Sequence, residues 1–393
     1  MQFVINEKKP TICLNMIVKD ESHIIHKTLQ MLCKKITFSY WVICDTGSTD
    51  NTAEIIKTFF KEINIPGELL NHKWQNFAHN RTLALNAAFN KSDLLLIFDA
   101  DDEIHGEIKI PQLVNYSGYR LNFGSDTGIS YQRVLLVNNK IRWEYKSVIH
   151  EFIDCLDINP TFQTIDGNYY IVSGKTGNRN KDPNKYLNDA KILENAYHVA
   201  KQNNDKLYLR YAYYCANSYA DHGDSHEAIK WYKITLQNNN WSQEKYMSCY
   251  RLFQQYNKIG ENEKALFYLV ESINYDTERQ ECIYHLIQYY CSRDLSNIAY
   301  QYYILIKDYF EQHYLKIYME KNGLIENKLF FEHDKSSFFL PYYMIIVCDK
   351  IKDKYPEANV TIYKMFQIIF TTKYKNIIHN EFYIGNQIGR AHV

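Results

Sequence analysis

Four carboxylates fall within residues 99–103, in Phe98-Asp-Ala-Asp-Asp-Glu103, directly after the apolar run Leu94–Ile97. Like charges set against a buried strand repel unless they share a cation. Asp99 and Asp101, at i and i+2, point to one side of an extended strand end. That suits Mg²⁺ or Mn²⁺ with a diphosphate completing the shell; a solvated acidic turn is the plain alternative. A second segment, Cys44-Asp-Thr-Gly-Ser-Thr-Asp-Asn51, runs from an apolar strand into a helix start. Asp50 or Asn51 capping that helix, helped by Glu54, accounts for residues 48–54. It leaves Asp45 unexplained, an acceptor suited to the N–H edge of a uracil or guanine. The third is Val148-Ile-His-Glu-Phe152, a His–Glu pair inside an apparent apolar strand. Neighbouring strand residues face opposite ways, so both serve one site only where the strand is ending. Core and functional readings stay open there.

All three segments end an expected strand, and open α/β sheets bind ligands at such carboxyl ends. Strands are predicted over Thr11–Val18, Trp41–Cys44 and Leu94–Phe98. Helical spacing covers Glu21–Leu32, Asn51–Phe60 and Asn76–Phe89. This alternation predicts a mostly parallel sheet covered on both faces. From Tyr119 to Val172 the chain becomes strand-rich, with alternation in Ile129–Val137 and Val148–Ile153.

After Asp182-Pro183 the strands stop and a repeat begins. Tyr219, Gly223 and Ala228 recur at Tyr256, Gly260 and Ala265, then at Tyr290, Asp294 and Ala299. A period near 34 residues is that of tetratricopeptide helix–turn–helix units; an irregular helical bundle is the alternative. The expected division is an α/β domain over 1–178, repeats over 179–310 and further helices, out of register, over 311–393. The last six residues, Ile388–Val393, change composition abruptly and match read-through of a sequencing-library adapter, so the natural chain is expected to continue differently there.

The 393 residues fit two domains. Lys+Arg and Asp+Glu are 45 each, which argues against a duplex-DNA binder or a polybasic membrane-surface protein. Aromatic content reaches 15% with 35 Tyr; A/T-rich codons explain it, making the tyrosines building material. Nine cysteines without a CxxC pair read as small buried hydrophobes in a reducing compartment. With no long apolar run and no signal-like N-terminus, a cytoplasmic protein is expected.

Taken in order, Thr11–Glu21, Asp45–Asp50, Trp74–Thr82, Asp99–Asp102, Trp143–Glu151 and Asp182–Tyr186 with Asp189 resemble the family-2 glycosyltransferases. The subgroup in question joins a GT-A domain, a Rossmann-like α/β fold, to tetratricopeptide-like helices. The resemblance implies a nucleotide-diphosphate sugar donor, with a UDP-sugar foremost, inversion at the anomeric carbon, and Mn²⁺ or Mg²⁺. It places Asp45 at the base, Asp99 at the nucleoside, and Arg81 and Glu21 in the donor site. Asp101 would hold the metal, with His150 completing its site. Glu151 would be the base that deprotonates the acceptor hydroxyl, and Asp102 its rival. The sequence departs from the family at Asp20, where Asn is common, and at Lys146-Ser147, where Gly is. A glycan, a lipid-linked sugar or a protein could be the acceptor, and the helices could bind a protein partner or a second copy; nucleic acid is not expected. The alternatives are a catalytically inactive interaction scaffold and a nucleotidyltransferase. The latter calls for a Gly-rich basic loop after the first strand, which Asn15–Ser22 is not.

Overall fold

The computed structural model describes residues 9–124, 129–156, 159–174, 176–177, 181–238, 241–320 and 328–371. The change of composition expected at Ile388–Val393 lies outside them. The chain divides into two compact units, Met1–Ser125 with Tyr131–Gly223, and Asp126–Ser130 with Asp224–Val393.

The first unit opens with β1 (Ile12–Val18), α1 (Ile25–Lys35), β2 (Tyr40–Asp45), α2 (Thr52–Glu62), β3 (Gly67–Asn71), α3 (Phe77–Ala88) and β4 (Leu94–Ile97). Strands lie in the order β3-β2-β1-β4, all parallel. Leu14, Val42, Ile43, Leu96 and Ile97 are buried from both sides, as near-continuous apolar strands of a covered parallel sheet must be. Helices α1 and α2 press Leu29, Leu32, Ile56 and Phe60 inward. Phe60 stacks on Trp41 with centroids 4.5 Å apart. A Cβ at Gly67 would lie 2.3 Å from that indole, so the first residue of β3 has to be glycine. Strand β3 was not expected; its Gly-Glu-Leu-Leu-Asn carries neither β-branching nor alternation.

Beyond β4 come β5 (Glu103–Lys109), β6 (Gly118–Gly124), β7 (Ile129–Asn138), β8 (Trp143–Lys146), β9 (Phe152–Cys155), β10 (Phe162–Thr164) and β11 (Asp166–Val172). The sheet continues past β4 as β7-β6-β11-β5, with β7 antiparallel to β4. β8 and β9 form a separate antiparallel pair. The strand expected over Val148–Ile153 begins only at Phe152, as β9; residues 148–150 form a bend. Ser147 (φ 81°) and His150 (φ 52°) both adopt the left-handed conformation, which no strand accommodates, and Ser147 Oγ closes the bend onto the Ile149 carbonyl at 2.6 Å. Helices α4 (Lys185–Gln202) and α5 (Leu207–His222) complete this unit, so compactness changes at Gly223, later than secondary structure does.

The second unit is built of α6 (Ser225–Asn238), α7 (Ser242–Lys258), α8 (Asn262–Glu271), α9 (Glu281–Cys291), α10 (Ser296–Glu320), α11 (Leu340–Ile351) and α12 (Ala358–Thr371). The repeat positions hold: Gly223, Gly260 and Asp294, with φ of 99°, 78° and 58°, each turn one helix into the next. Tyr232, Tyr246, Tyr250, Tyr300 and Tyr303 are fully buried, so tyrosine is core material here. Arg279 and Glu281 form an ion pair with both side chains at 0% exposure, and Arg279 also donates to the Leu329 carbonyl at 2.7 Å. All nine cysteines are free thiols, and burial pushes those of Cys13 and Cys282 up to about 12. Among the described residues no helix is long and apolar enough to cross a membrane.

Candidate functional site

The loops after β1 and β2 are sewn together by short side chains. Asp20 Oδ1 accepts from the Thr49 N–H at 2.7 Å, and its own N–H donates to Ser48 Oγ at 2.9 Å. Asp20 sits at φ 54°, a conformation that Asn and Asp tolerate best among residues with a Cβ. Glu21 donates its N–H to Thr52 Oγ1 at 2.8 Å. Asp50, not Asn51, satisfies the start of α2, accepting from Thr52 N–H at 3.0 Å and from Ser22 N–H at 3.1 Å. The upward push of burial is outweighed by these bonds, leaving its carboxyl at about 2. Asp45, 3% exposed at the end of β2, puts Oδ1 onto the N–H groups of Gly47 and Ser48 at 2.8 and 2.7 Å. One oxygen of the expected base-binding residue thus shapes its own loop.

Beside them, at the ends of β4 and α3, charges converge from segments far apart in sequence. Asn76 caps α3 by accepting from His79 N–H at 2.8 Å, and the helix turns Arg81 inward to 6% exposure. A surface-charge reading of Arg81 is thereby excluded. Its Nη2 lies 2.6 Å from Asp99 Oδ1 and its Nε 2.7 Å from Glu151 Oε1. The guanidinium also lies over the Tyr145 ring, 5.5 Å from its centroid. On the other side of Asp99, Arg133 Nη1 approaches Oδ2 at 3.7 Å.

Burial pushes Asp99 up, but the two arginines outweigh it and hold the carboxyl below its ordinary range. The same carboxylates overcome burial to raise Arg81 and Arg133. Asp102 goes the other way. Burial first, then the Asp99 and Asp101 charges, push it up to about 7, against the pull of Arg133 and the Gly174 N–H. Tyr145, also raised by burial, reaches about 12. Among the described residues Asp102 Oδ2 and Tyr145 Oη are buried without a hydrogen-bond partner. Such orphans are costly in a native interior.

The chain after β11 passes over the acidic loop. Gly174 N–H donates to Asp102 Oδ1 at 3.3 Å and Gly177 N–H to Asp101 Oδ2 at 3.2 Å. A Cβ on Gly174 would lie 1.8 Å from the Asp101 carbonyl, so only glycine permits that approach. His150 stands apart: it is exposed, stacks on Tyr214 at 4.3 Å, and its carbonyl accepts from Arg210 Nη2 at 2.8 Å. Among the described residues no three His, Cys, Asp or Glu side chains converge as a ready metal site. The donors that do gather are carboxylate oxygens, the chemistry that suits a hard divalent cation such as Mg²⁺ or Mn²⁺.

Asp45, Asp99, Asp101, Asp102, Arg81 and Glu151, expected from sequence, all lie on or just after the elements that end at this face. Arg133, Tyr145, Gly174 and Gly177 were not anticipated. Arg133 carried no signal in the sequence: it is the β4–β7 register, which pairs Leu94 with Asn138 and Leu96 with Leu136, that sets it opposite Asp99 when continued.

Residues 13–122 match the family described as glycosyl transferase family 2. Among solved structures, the chain is similar to the mannosyltransferase PcManGT from Pyrobaculum calidifontis, solved with GDP-Man and Mn²⁺, at 10% identity over 68% of this chain and 88% of that one, TM-score 0.34. It is similar to S. aureus TarS 1-349 in complex with UDP-GlcNAc at 14% identity over 67% and 91%, TM-score 0.32. MamA from Desulfovibrio magneticus RS-1 aligns at 15% identity over 47% and 97%, TM-score 0.27. No match to a curated protein was found.

Proposed function

We propose that the chain, whose residues 13–122 match the family described as glycosyl transferase family 2, is a metal-dependent inverting glycosyltransferase. It would move a sugar from a nucleotide-diphosphate sugar, a UDP-sugar first, to a glycan, lipid-linked or protein acceptor. The observation that carries this reading is the convergence of Arg81, Asp99 and Glu151, with Asp101 and Asp102, at the carboxyl ends of parallel strands. Asp45, with Glu21 nearby in the first loop pair, would receive the nucleotide.

Asp101 is the residue to hold Mn²⁺ or Mg²⁺, which when bound neutralises charge developing on the departing diphosphate. Proton transfer falls to a carboxylate of this chain. Glu151 is committed to Arg81 at 2.7 Å, and the pair keeps that guanidinium in place. Asp102 has an unpartnered oxygen and a proton affinity near neutrality, the value that suits a general base at physiological pH. That supports Asp102 as the base and Glu151 as an orienting partner.

Asp101→Ala should abolish Mn²⁺-dependent hydrolysis and transfer of the donor selected from a thermal-shift panel of nucleotide sugars. Ordinary turnover by that variant would end the mechanism.

A further inference from the structure

Arg133 is charged, buried along most of its length and used by nothing in the sequence argument. Its strand, β7, runs antiparallel to β4, and the register carried three residues past Leu96–Leu136 sets Arg133 across from Asp99. Cross-strand neighbours of opposite charge hold each other in place. The guanidinium reaches Asp99 Oδ2 at 3.7 Å and packs on the Phe123 ring at 5.1 Å. Asp99 therefore sits between two guanidinium groups, Arg81 on Oδ1 and Arg133 on Oδ2.

The two arginines are not equivalent. Arg81 is 7% exposed at its side chain and spends Nε and Nη2 on Glu151 and Asp99. Arg133 is 28% exposed at its side chain, and a guanidinium carries five N–H donors. It also stands next to the carboxylates of Asp99 and Asp102, whose charge would otherwise repel an anion. We propose that Arg133 binds the diphosphate of the donor, with Asp99 holding its guanidinium in position for that contact. Planar, forked donors of this kind match phosphate oxygens in a way an ammonium does not. The inference rests on the nucleotide-sugar reading above and adds to it a residue and a subsite.

The test compares a nucleoside with its diphosphate, so that phosphate recognition is separated from base recognition. Uridine and UDP, and guanosine and GDP, are titrated calorimetrically into the full chain with Mn²⁺, for wild type, Arg133→Met and Arg133→Lys. The expected result is at least tenfold weaker diphosphate binding for Arg133→Met, unchanged nucleoside binding, and partial recovery in Arg133→Lys. Diphosphate affinity that survives Arg133→Met overturns the inference. So does equal loss of nucleoside and diphosphate, which marks a purely structural role. Wild-type chain that binds none of the four overturns the nucleotide-sugar reading itself, and this inference with it. Should Arg133→Met fail to melt cooperatively, Arg133→Gln is read by the same criteria.

Discussion

Asp102 is the residue at which function and stability pull apart. In the folded chain it keeps its proton up to about 7, against an ordinary value of 3.8. The folded-state value is raised, so the stability tied to that proton is fully present below 3.8 and is lost as pH rises through about 7. Above that, an ionised carboxylate sits 3% exposed beside Asp99 and Asp101, at a cost on the order of a few kcal/mol. Asp102→Asn keeps the shape and removes the charge. It should raise the melting temperature in EDTA by several degrees at pH 8 and by much less at pH 5, while lowering sugar transfer. An equal shift at both pH values would show that Asp102 is not strained. The sequence displayed the acidic cluster and its cation chemistry, but not which carboxylate is strained. That depends on Arg81 reaching Asp99, 18 residues away, and Glu151, 70 residues away, and on Gly174, 72 residues from Asp102, following the strand paired with β5. Arg133 was hidden for the same reason: only a strand register makes it a neighbour of Asp99.

At the scale of elements, local pattern succeeded where one conformation satisfied all its residues. The apolar runs of β1, β2 and β4 and the 3.6-residue faces of α1 and α2 were legible. So were the repeats, because Gly223, Gly260 and Asp294 each require positive φ at one position of the turn. The strand expected over Val148–Ile153 failed in its first four residues, because Ser147 and His150 turn left-handed and delay the strand to Phe152. The turns themselves predict a contrast. A Cβ at Gly260 would meet nothing within 4 Å, so Gly260→Ala costs only the left-handed backbone, about 1 kcal/mol. Asp294 already bears that cost, and its ion pair with Lys350 has an aspartate side chain 83% exposed, so the pair adds little. Asp294→Gly should therefore leave chemical-denaturation stability unchanged or raise it by a few tenths of a kcal/mol, while Gly260→Ala lowers it. Matching losses in both variants would mean the two turns are not equivalent.

For the whole molecule, 45 basic and 45 acidic residues cancel, and the candidate site is more acidic than the average surface. Among the described residues, Asp99, Asp102 and Glu151 meet Arg81 and Arg133 there. Such a chain has no long-range positive field to gather an anionic donor. On the proposed reading, attraction must come from charges in direct contact with the diphosphate, and contact pairs out of water are little screened by salt. Two measurements then move independently. With Mn²⁺ present, raising NaCl from about 50 to about 500 mM should weaken nucleotide-diphosphate binding by no more than about threefold. Removing the metal with EDTA should weaken it at least tenfold and lower the nucleotide-free melting temperature, because a cation bound by the folded chain alone also stabilises it. Calorimetry at the two salt concentrations and scanning fluorimetry with and without EDTA read both. Steep salt dependence with Mn²⁺ bound would point instead to a diffuse basic surface, and binding that persists in EDTA would leave Asp101 without its assigned task.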